Sequence, residues 1–341
     1  MTSCQVGNYI YYNLADINDH RIFPSITVEK GTYVSSLPGK TDPRFDTLAE
    51  ILGESHTVAF LIYRDDTIRY ERYFEGYSRA SVLPSFSVAK SFVTALTGIA
   101  LKEGWIRSVD QPVTDYIPEL RDSLFRGVTI RDLLEMRAGL NYDERGIGPF
   151  GKVAMFYYGN DLSRAVNQLK VTEDPGQRFV YQSAATQLLG MIVERATGTK
   201  LSIYLQEKIW RPTGMEYDAT WSIDSEKHMV TKAFCCLNAR AVDFLRFGVL
   251  LEKQGLWRGD TLISPGWIAE SLNVRDSVGQ TRDFYHGYNF RILQEGDYFM
   301  KGVHGQYVYV DPASSTVIVR FGKRTGQTDW IRLFQSIRSG P

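Results

Sequence analysis

Apolar and polar positions change rhythm along the chain, and each rhythm predicts a different element. Thr57-Val-Ala-Phe-Leu-Ile-Tyr63 is an unbroken apolar run; after a turn signal at Asp65-Asp66, Thr67 to Tyr73 alternates apolar and polar with a period of two. The pair predicts a β-hairpin whose first strand is buried. From Ser87 to Glu103 the spacing becomes helical. Val88, Phe92, Leu96, Ile99 and Leu101 fall close to one side, and Gly104 stands where a C-cap belongs. Helical segments follow over 130–135, 161–169, 184–197, 202–210 and 241–252, so the middle of the chain is predicted to be mainly α. Period two returns at 306–312 and 316–321, around an Ala-Ser-Ser turn, before an amphipathic helix over 329–337.

Strands at both ends around a helical middle imply an α/β protein of the α+β type. One antiparallel sheet is built from both termini and flanked by helices, with a mainly α-helical insertion. The expected division is an N-terminal arm over 1–50, a sheet domain over 51–110 and 255–341, and a helical domain over 111–254. The arm is polar and mixed, with Pro24 and Pro38, and is expected to lie across the body.

Composition removes several function classes. Lys plus Arg and Asp plus Glu both number 39, so no net field steers the protein toward nucleic acid or a membrane surface. A small-molecule or peptide-like partner is expected, and the oligomeric state is left open. No run of about 18 apolar residues occurs, so no membrane span is expected. The N-terminus lacks the basic-then-apolar layout of a signal peptide. Cys4 fits either the remnant of a trimmed lipoprotein junction or an ordinary cysteine, and on the first reading export is favoured over a cytoplasmic location. The other cysteines, Cys235 and Cys236, are neighbours in sequence, which rarely bond to each other without strain. No disulfide framework is expected, and the pair is read as buried structural thiols. No metal and no cofactor are expected; none of the five histidines falls in an H-E-x-x-H pattern.

Chemistry enters at Ser87-Val-Ala-Lys90, where an extended segment ending near Pro84 passes into a helix. Residues three apart share a helix face, so the amine can approach the hydroxyl. A serine hydroxyl is a poor nucleophile until a base takes its proton, and a lysine desolvated in a pocket can do so. The helix start also offers N–H groups to an oxyanion. The bland alternative is an N-cap serine with a solvated lysine. Tyr181-Gln-Ser183 precedes a helix, with Ser183 suited to its N-cap; Tyr181 is read as a proton donor or as one packing tyrosine among 20. Val303-His304-Gly305-Gln306 opens a strand, where Gly305 lets a substrate approach and an exposed N–H can serve an oxyanion hole. Gly76-Tyr-Ser-Arg-Ala80 misses the nucleophile-elbow pattern at its last position.

Taken together, Ser87-Val-Ala-Lys90, Tyr181-Gln-Ser183 and Val303-His-Gly305 resemble, in order and separation, the three signature elements of class C serine β-lactamases, penicillin-binding DD-peptidases and their esterase relatives. Residues 128–140, Pro175-Gly-Gln-Arg-Phe179, 188–198 and Arg211-Pro-Thr-Gly-Met215 also look like that superfamily's framework. The resemblance implies a β-lactamase/transpeptidase-like fold. Ser183 stands where class C enzymes carry Asn, and Val-His-Gly replaces Lys-Thr-Gly. Lys323-Arg-Thr-Gly326 is a decoy, since it follows the last strand. With Asn141-Tyr-Asp-Glu144, the set is similar to the 6-aminohexanoate-dimer hydrolase branch, whose activities are amide and ester hydrolysis. Downstream, Arg-Gly-Ile-Gly replaces a stretch in which the nylon-oligomer enzyme has a further tyrosine.

The expectation is a serine hydrolase that forms an acyl-enzyme on Ser87, with Lys90 as base and Tyr181 as proton donor to the leaving group. The N–H groups of Ser87 and Gln306 would hold the oxyanion, and Ser183 would support Lys90 through a hydrogen bond. His304, Gly305 and Glu144 would complete the substrate side. Two rivals stand beside it: a β-lactamase or DD-peptidase with the same machinery, and a catalytically silent penicillin-binding-like sensor.

Overall fold

The computed structural model describes residue 7 and residues 15–34, 37–40, 42–146, 148–274, 280 and 283–339. Cys4 and most of the 276–285 loop lie outside them. In chain order come β1 (Ser25–Val28), α1 (Leu48–Glu54), β2 (Thr57–Arg64), β3 (Thr67–Tyr73), β4 (Leu83–Pro84) and α2 (Ala89–Lys102). The middle holds α3 (Ile130–Leu134), α4 (Lys152–Tyr158), α5 (Leu162–Val166), α6 (Ser183–Thr197), α7 (Leu201–Leu205), β5 (Ala219–Ser222), β6 (Leu237–Ala239) and α8 (Ala241–Glu252). A ribbon of β7 (Leu256–Trp257) and β8 (Asp260–Thr261) leads to α9 (Pro265–Ser271). Then come β9 (Tyr285–His286), β10 (Arg291–Ile292), β11 (Tyr298–Gly302), β12 (Gln306–Asp311), β13 (Thr316–Gly322) and α10 (Trp330–Arg338).

The main sheet runs β3-β2-β13-β12-β11-β10-β9, antiparallel throughout, so strands from both ends of the sequence meet at the β2–β13 pair. Both faces are covered, which explains the unbroken apolar run of β2. Phe60 and Ile62 join Tyr309, Ile318 and Phe334 on one face, while Leu61 and Tyr63 join Val308, Val319 and Phe247 on the other. On that second face α8 sits close. A Cβ at Gly248 would come within 2.5 Å of Val317 Cγ1, so the helix can approach the sheet only with glycine there. The rings of Phe92 and Phe247 stack at 3.7 Å and join α2 to α8, and α2 packs in turn against α6.

A second sheet, β1-β5-β6-β4, positions the chemistry. Leu83 and Pro84 pair with Ala239 and Asn238, which brings the residues just after β4 beside those just before β6. Ser87 and Phe234 thereby become neighbours. The described part of the arm joins this sheet through β1, in register Ser25↔Ser222 to Val28↔Ala219.

Three element boundaries differ from expectation. The helix expected from Ser87 starts with a 3-10 turn, Phe86–Val88. The 161–169 segment shortens to α5, capped by Asp161, which accepts from the Arg164 N–H. The 202–210 segment divides into α7 and a wider turn over Gln206–Trp210.

Candidate active site

Ser87 is presented by the 3-10 turn that feeds α2, and Phe86 enters that turn with φ 45°. One helical turn further on, Lys90 is 2% exposed and donates to Ser87 Oγ at 3.0 Å and to the Phe234 carbonyl at 2.7 Å. Its ammonium lies 5.2 Å from the ring centre of Tyr181 and 5.9 Å from that of Phe234. The three side chains of the expected triad are thus brought together: hydroxyl, amine and phenol ring.

Arg291 also lies against Tyr181, 5.6 Å from the ring centre, and its guanidinium makes no hydrogen bond or ion pair among the described residues. His286 lies opposite Arg291 across the β9–β10 pair. Burial, reinforced by that guanidinium, pulls His286 down to about 3, so its ring is neutral near pH 7.

Ser183 differs from expectation twice. Gln182, not Ser183, is the N-cap of α6, and its carboxamide donates at 2.7 Å to the carbonyls of Leu140 and Tyr142. That clamp holds the 140–144 loop against the helix start. Ser183 then donates its hydroxyl to the Glu144 carboxylate, not to Lys90, because Glu144 is the acceptor the clamp places nearest. Tyr142 joins this group. Burial pushes its phenol well above the ordinary value, with Glu144 and Tyr181 adding to the effect, so it remains a hydrogen-bond donor.

A cavity of about 310 Å³ opens beside Ser87. Ser87, Ser183, Glu144 and His304 supply polar groups; Phe86, Tyr142, Tyr157, Tyr158 and Phe234 make the rest largely aromatic. No lysine or arginine is among the described residues lining it. His304 lines it as expected, in the left-handed conformation (φ 64°) and donating from Nε2 to the Ala15 carbonyl at 2.5 Å.

Gln306 and Gly305 are not brought to the cavity. Gln306 is fully buried at the start of β12, and its carboxamide exchanges hydrogen bonds with the Gly322 backbone. Gly305 (φ 77°) makes room for a guanidinium: a Cβ there would lie 2.3 Å from Arg320 Nη1. The segment that does approach the turn carrying Ser87 is one turn earlier. A Cβ at Gly302 would meet the Ser85 carbonyl oxygen at 2.5 Å and Phe86 Cβ at 3.1 Å. Arg320 fixes this turn from behind, donating to the carbonyls of His304, Gly305, Ser55 and Arg324. Burial lowers that guanidinium to about 9.

Cys235 and Cys236 form a disulfide, which corrects their reading as free thiols. Cys236 takes the left-handed conformation (φ 68°), and Cys235 lines the cavity beside Phe234.

A family profile described as Beta-lactamase matches residues 45–339. The chain belongs to the Beta-lactamase family. It is a serine hydrolase with the β-lactamase/transpeptidase-like fold. Over 298 residues it is 28% identical to the 6-aminohexanoate-dimer hydrolase of Paenarthrobacter ureafaciens, covering 81% of this chain and 75% of that one. Esterase EstB of Burkholderia gladioli is 32% identical over 158 residues, 42% of this chain and 40% of the relative. A Bacillus anthracis structure provisionally described as a 6-aminohexanoate-dimer hydrolase superposes with a TM-score of 0.85 at 23% identity, over 97% of this chain and 92% of that one; this likeness concerns the fold. Among the described residues no helix is long and apolar enough to cross a membrane.

For this Beta-lactamase family member, sequence reasoning missed Phe234, Arg291, Arg320 and Ala15. Phe234 acts through its carbonyl, which any residue possesses. Arg291 and Arg320 stand in strands without a distinctive motif, and Ala15 lies in the polar arm.

Proposed function

We propose that the protein hydrolyses esters and linear amides of small substrates through an acyl-enzyme on Ser87. The observation that carries this reading is the 3.0 Å contact of Lys90 Nζ with Ser87 Oγ at the mouth of an aromatic cavity. In the first step Lys90 takes the Ser87 proton as Oγ bonds to the carbonyl carbon. The oxyanion is held by the Ser87 N–H and by a second donor from the Gly302–His304 turn, which takes the place expected of Gln306. As the carbon–leaving-group bond breaks, Tyr181 gives its proton to the departing oxygen or nitrogen and is reprotonated from Lys90. Water then attacks the acyl-enzyme along the reverse relay and frees the acid and Ser87.

The ester and amide reading is favoured over β-lactams by the strand end. β11 closes on Met300-Lys301-Gly302, and Lys301 lies over the Tyr307 ring on the opposite face of the sheet, 5.5 Å from its centre. Arg291 beside Tyr181, its guanidinium unpaired among the described residues, favours leaving groups that carry an acid, as the product of a 6-aminohexanoate dimer would. A hydrolysis screen of p-nitrophenyl esters, linear amides of amino acids and nitrocefin tests the reading, with Ser87→Ala as control. Ester or amide turnover that disappears in Ser87→Ala is expected; full activity in that variant, or preference for nitrocefin, would refute it.

A further inference from the structure

The cavity has a wall that does not come from the catalytic body. Ala15 lines it, and the Ala15 carbonyl accepts from His304, whose ring packs edge-on against Phe86 at 5.6 Å, one residue before the nucleophile. The chain from here to β1 is pinned at successive points. The Asp16 N–H donates to Asp19 at 3.0 Å, and Asp19 accepts from the Tyr157 hydroxyl at 2.7 Å. Ile17 is buried in the main core. Phe23 lies edge-on to Tyr157 at 5.2 Å and covers the Lys232 ammonium at 3.8 Å. The Pro24 carbonyl accepts from the Ile223 N–H at 2.8 Å, and β1 then completes the small sheet. A segment tied down this often, in a stretch of mixed polar sequence, is a fixed part of the site's surface.

We propose that residues 15–23 are a specificity wall, which limits the length of the acyl chain that the cavity accepts. The assignment of the acyl group to this side rests on the reading of Tyr181 as proton donor. Tyr181 is not among the cavity-lining residues and faces Arg291 and His286, so the leaving group departs on that side and the acyl chain enters the cavity. There it meets aromatic rings and the Ala15 wall. A linear acyl chain gains free energy with each methylene it buries, until the wall stops it.

The test compares p-nitrophenyl acetate with p-nitrophenyl hexanoate. Ala15 is partly exposed on a loop, so Ala15→Phe fills space without disturbing a packed core. The hexanoate-to-acetate ratio of kcat/KM is expected to fall about tenfold, roughly the loss of two buried methylenes. Ala15→Val should move the ratio the same way, by about threefold, and serves if the larger side chain impairs folding. An unchanged ratio, or an equal loss on both esters, would overturn the proposal. Labelling of Ser87 by a fluorophosphonate probe in the parent protein separates the two levels: no labelling refutes the hydrolase reading itself, whereas normal labelling with an unchanged ratio refutes only the wall.

Discussion

Two buried lysines flank the same stretch of chain around Phe234, and they share more than they differ. Lys90 and Lys232 are 2% and 0% exposed, each ammonium donates to a backbone carbonyl, and each lies against two aromatic rings. Lys232 is pulled by burial to about 7, with Asp224 and Asp19 opposing the shift, yet among the described residues it touches no hydroxyl that a substrate could acylate. Lys90 does, at Ser87 Oγ. Under the proposed mechanism, desolvation of a lysine is therefore not what marks the base. What sets Lys90 apart is Ser87, placed one helical turn before it at the edge of a cavity. Lys232, under Phe23 and Tyr157, anchors the arm.

That contrast is sharpest at Lys90→Met. Loss of the base should lower ester hydrolysis by about 10³-fold, with the thermal transition little changed. Ester turnover above about a tenth of the parent rate would place the base elsewhere. Tyr181→Phe should cost about 10² on amide substrates and much less on p-nitrophenyl esters, because p-nitrophenolate leaves without a proton. Equal losses on the two classes would give Tyr181 a packing role instead.

The smallest effect on turnover belongs to Lys232→Met, which should keep ester hydrolysis within about threefold. Its signature is in stability. The folded-state value near 7 lies below that of an unfolded lysine, so between about pH 7 and 10 the unfolded chain binds more protons than the folded one. The parent should therefore gain stability as pH rises through that window and lose it as pH falls toward 7. Lys232→Met should lack this slope, as denaturant midpoints at several pH values would reveal. A parallel slope in both proteins would mean that Lys232 is charged in the folded state across this range.

The parts of the fold and site that were legible in the sequence are those encoded locally. The hairpin of β2 and β3, the helix over Ala241–Glu252 and the last two strands follow from periodicity, and Ser87 and Lys90 face each other because they are three apart on one helical path. The illegible parts depend on distant segments. The Phe234 carbonyl reaches Lys90 only because β4 pairs with β6. Ser183 meets Glu144 because Gln182 clamps a loop about 40 residues earlier in the chain. Gln306 is expected to be exposed at a strand start, but a tight turn at His304 leaves it buried and brings Gly302 against Ser85 and Phe86 instead. Local strain argues against bonding between adjacent cysteines, but a tertiary setting supports the pair: Trp221 Nε1 donates to the Cys235 carbonyl at 2.9 Å, and the Cys236 carbonyl accepts from Ser222 N at 3.0 Å.

The most direct test of the central claim is the mass of the acylated protein. After brief mixing with a p-nitrophenyl ester and an acid quench, the account predicts a mass increase of one acyl group, mapped by peptide fragmentation to Ser87 and absent from Ser87→Ala. An acyl group on another residue, or full ester turnover by Ser87→Ala with no adduct, would contradict it.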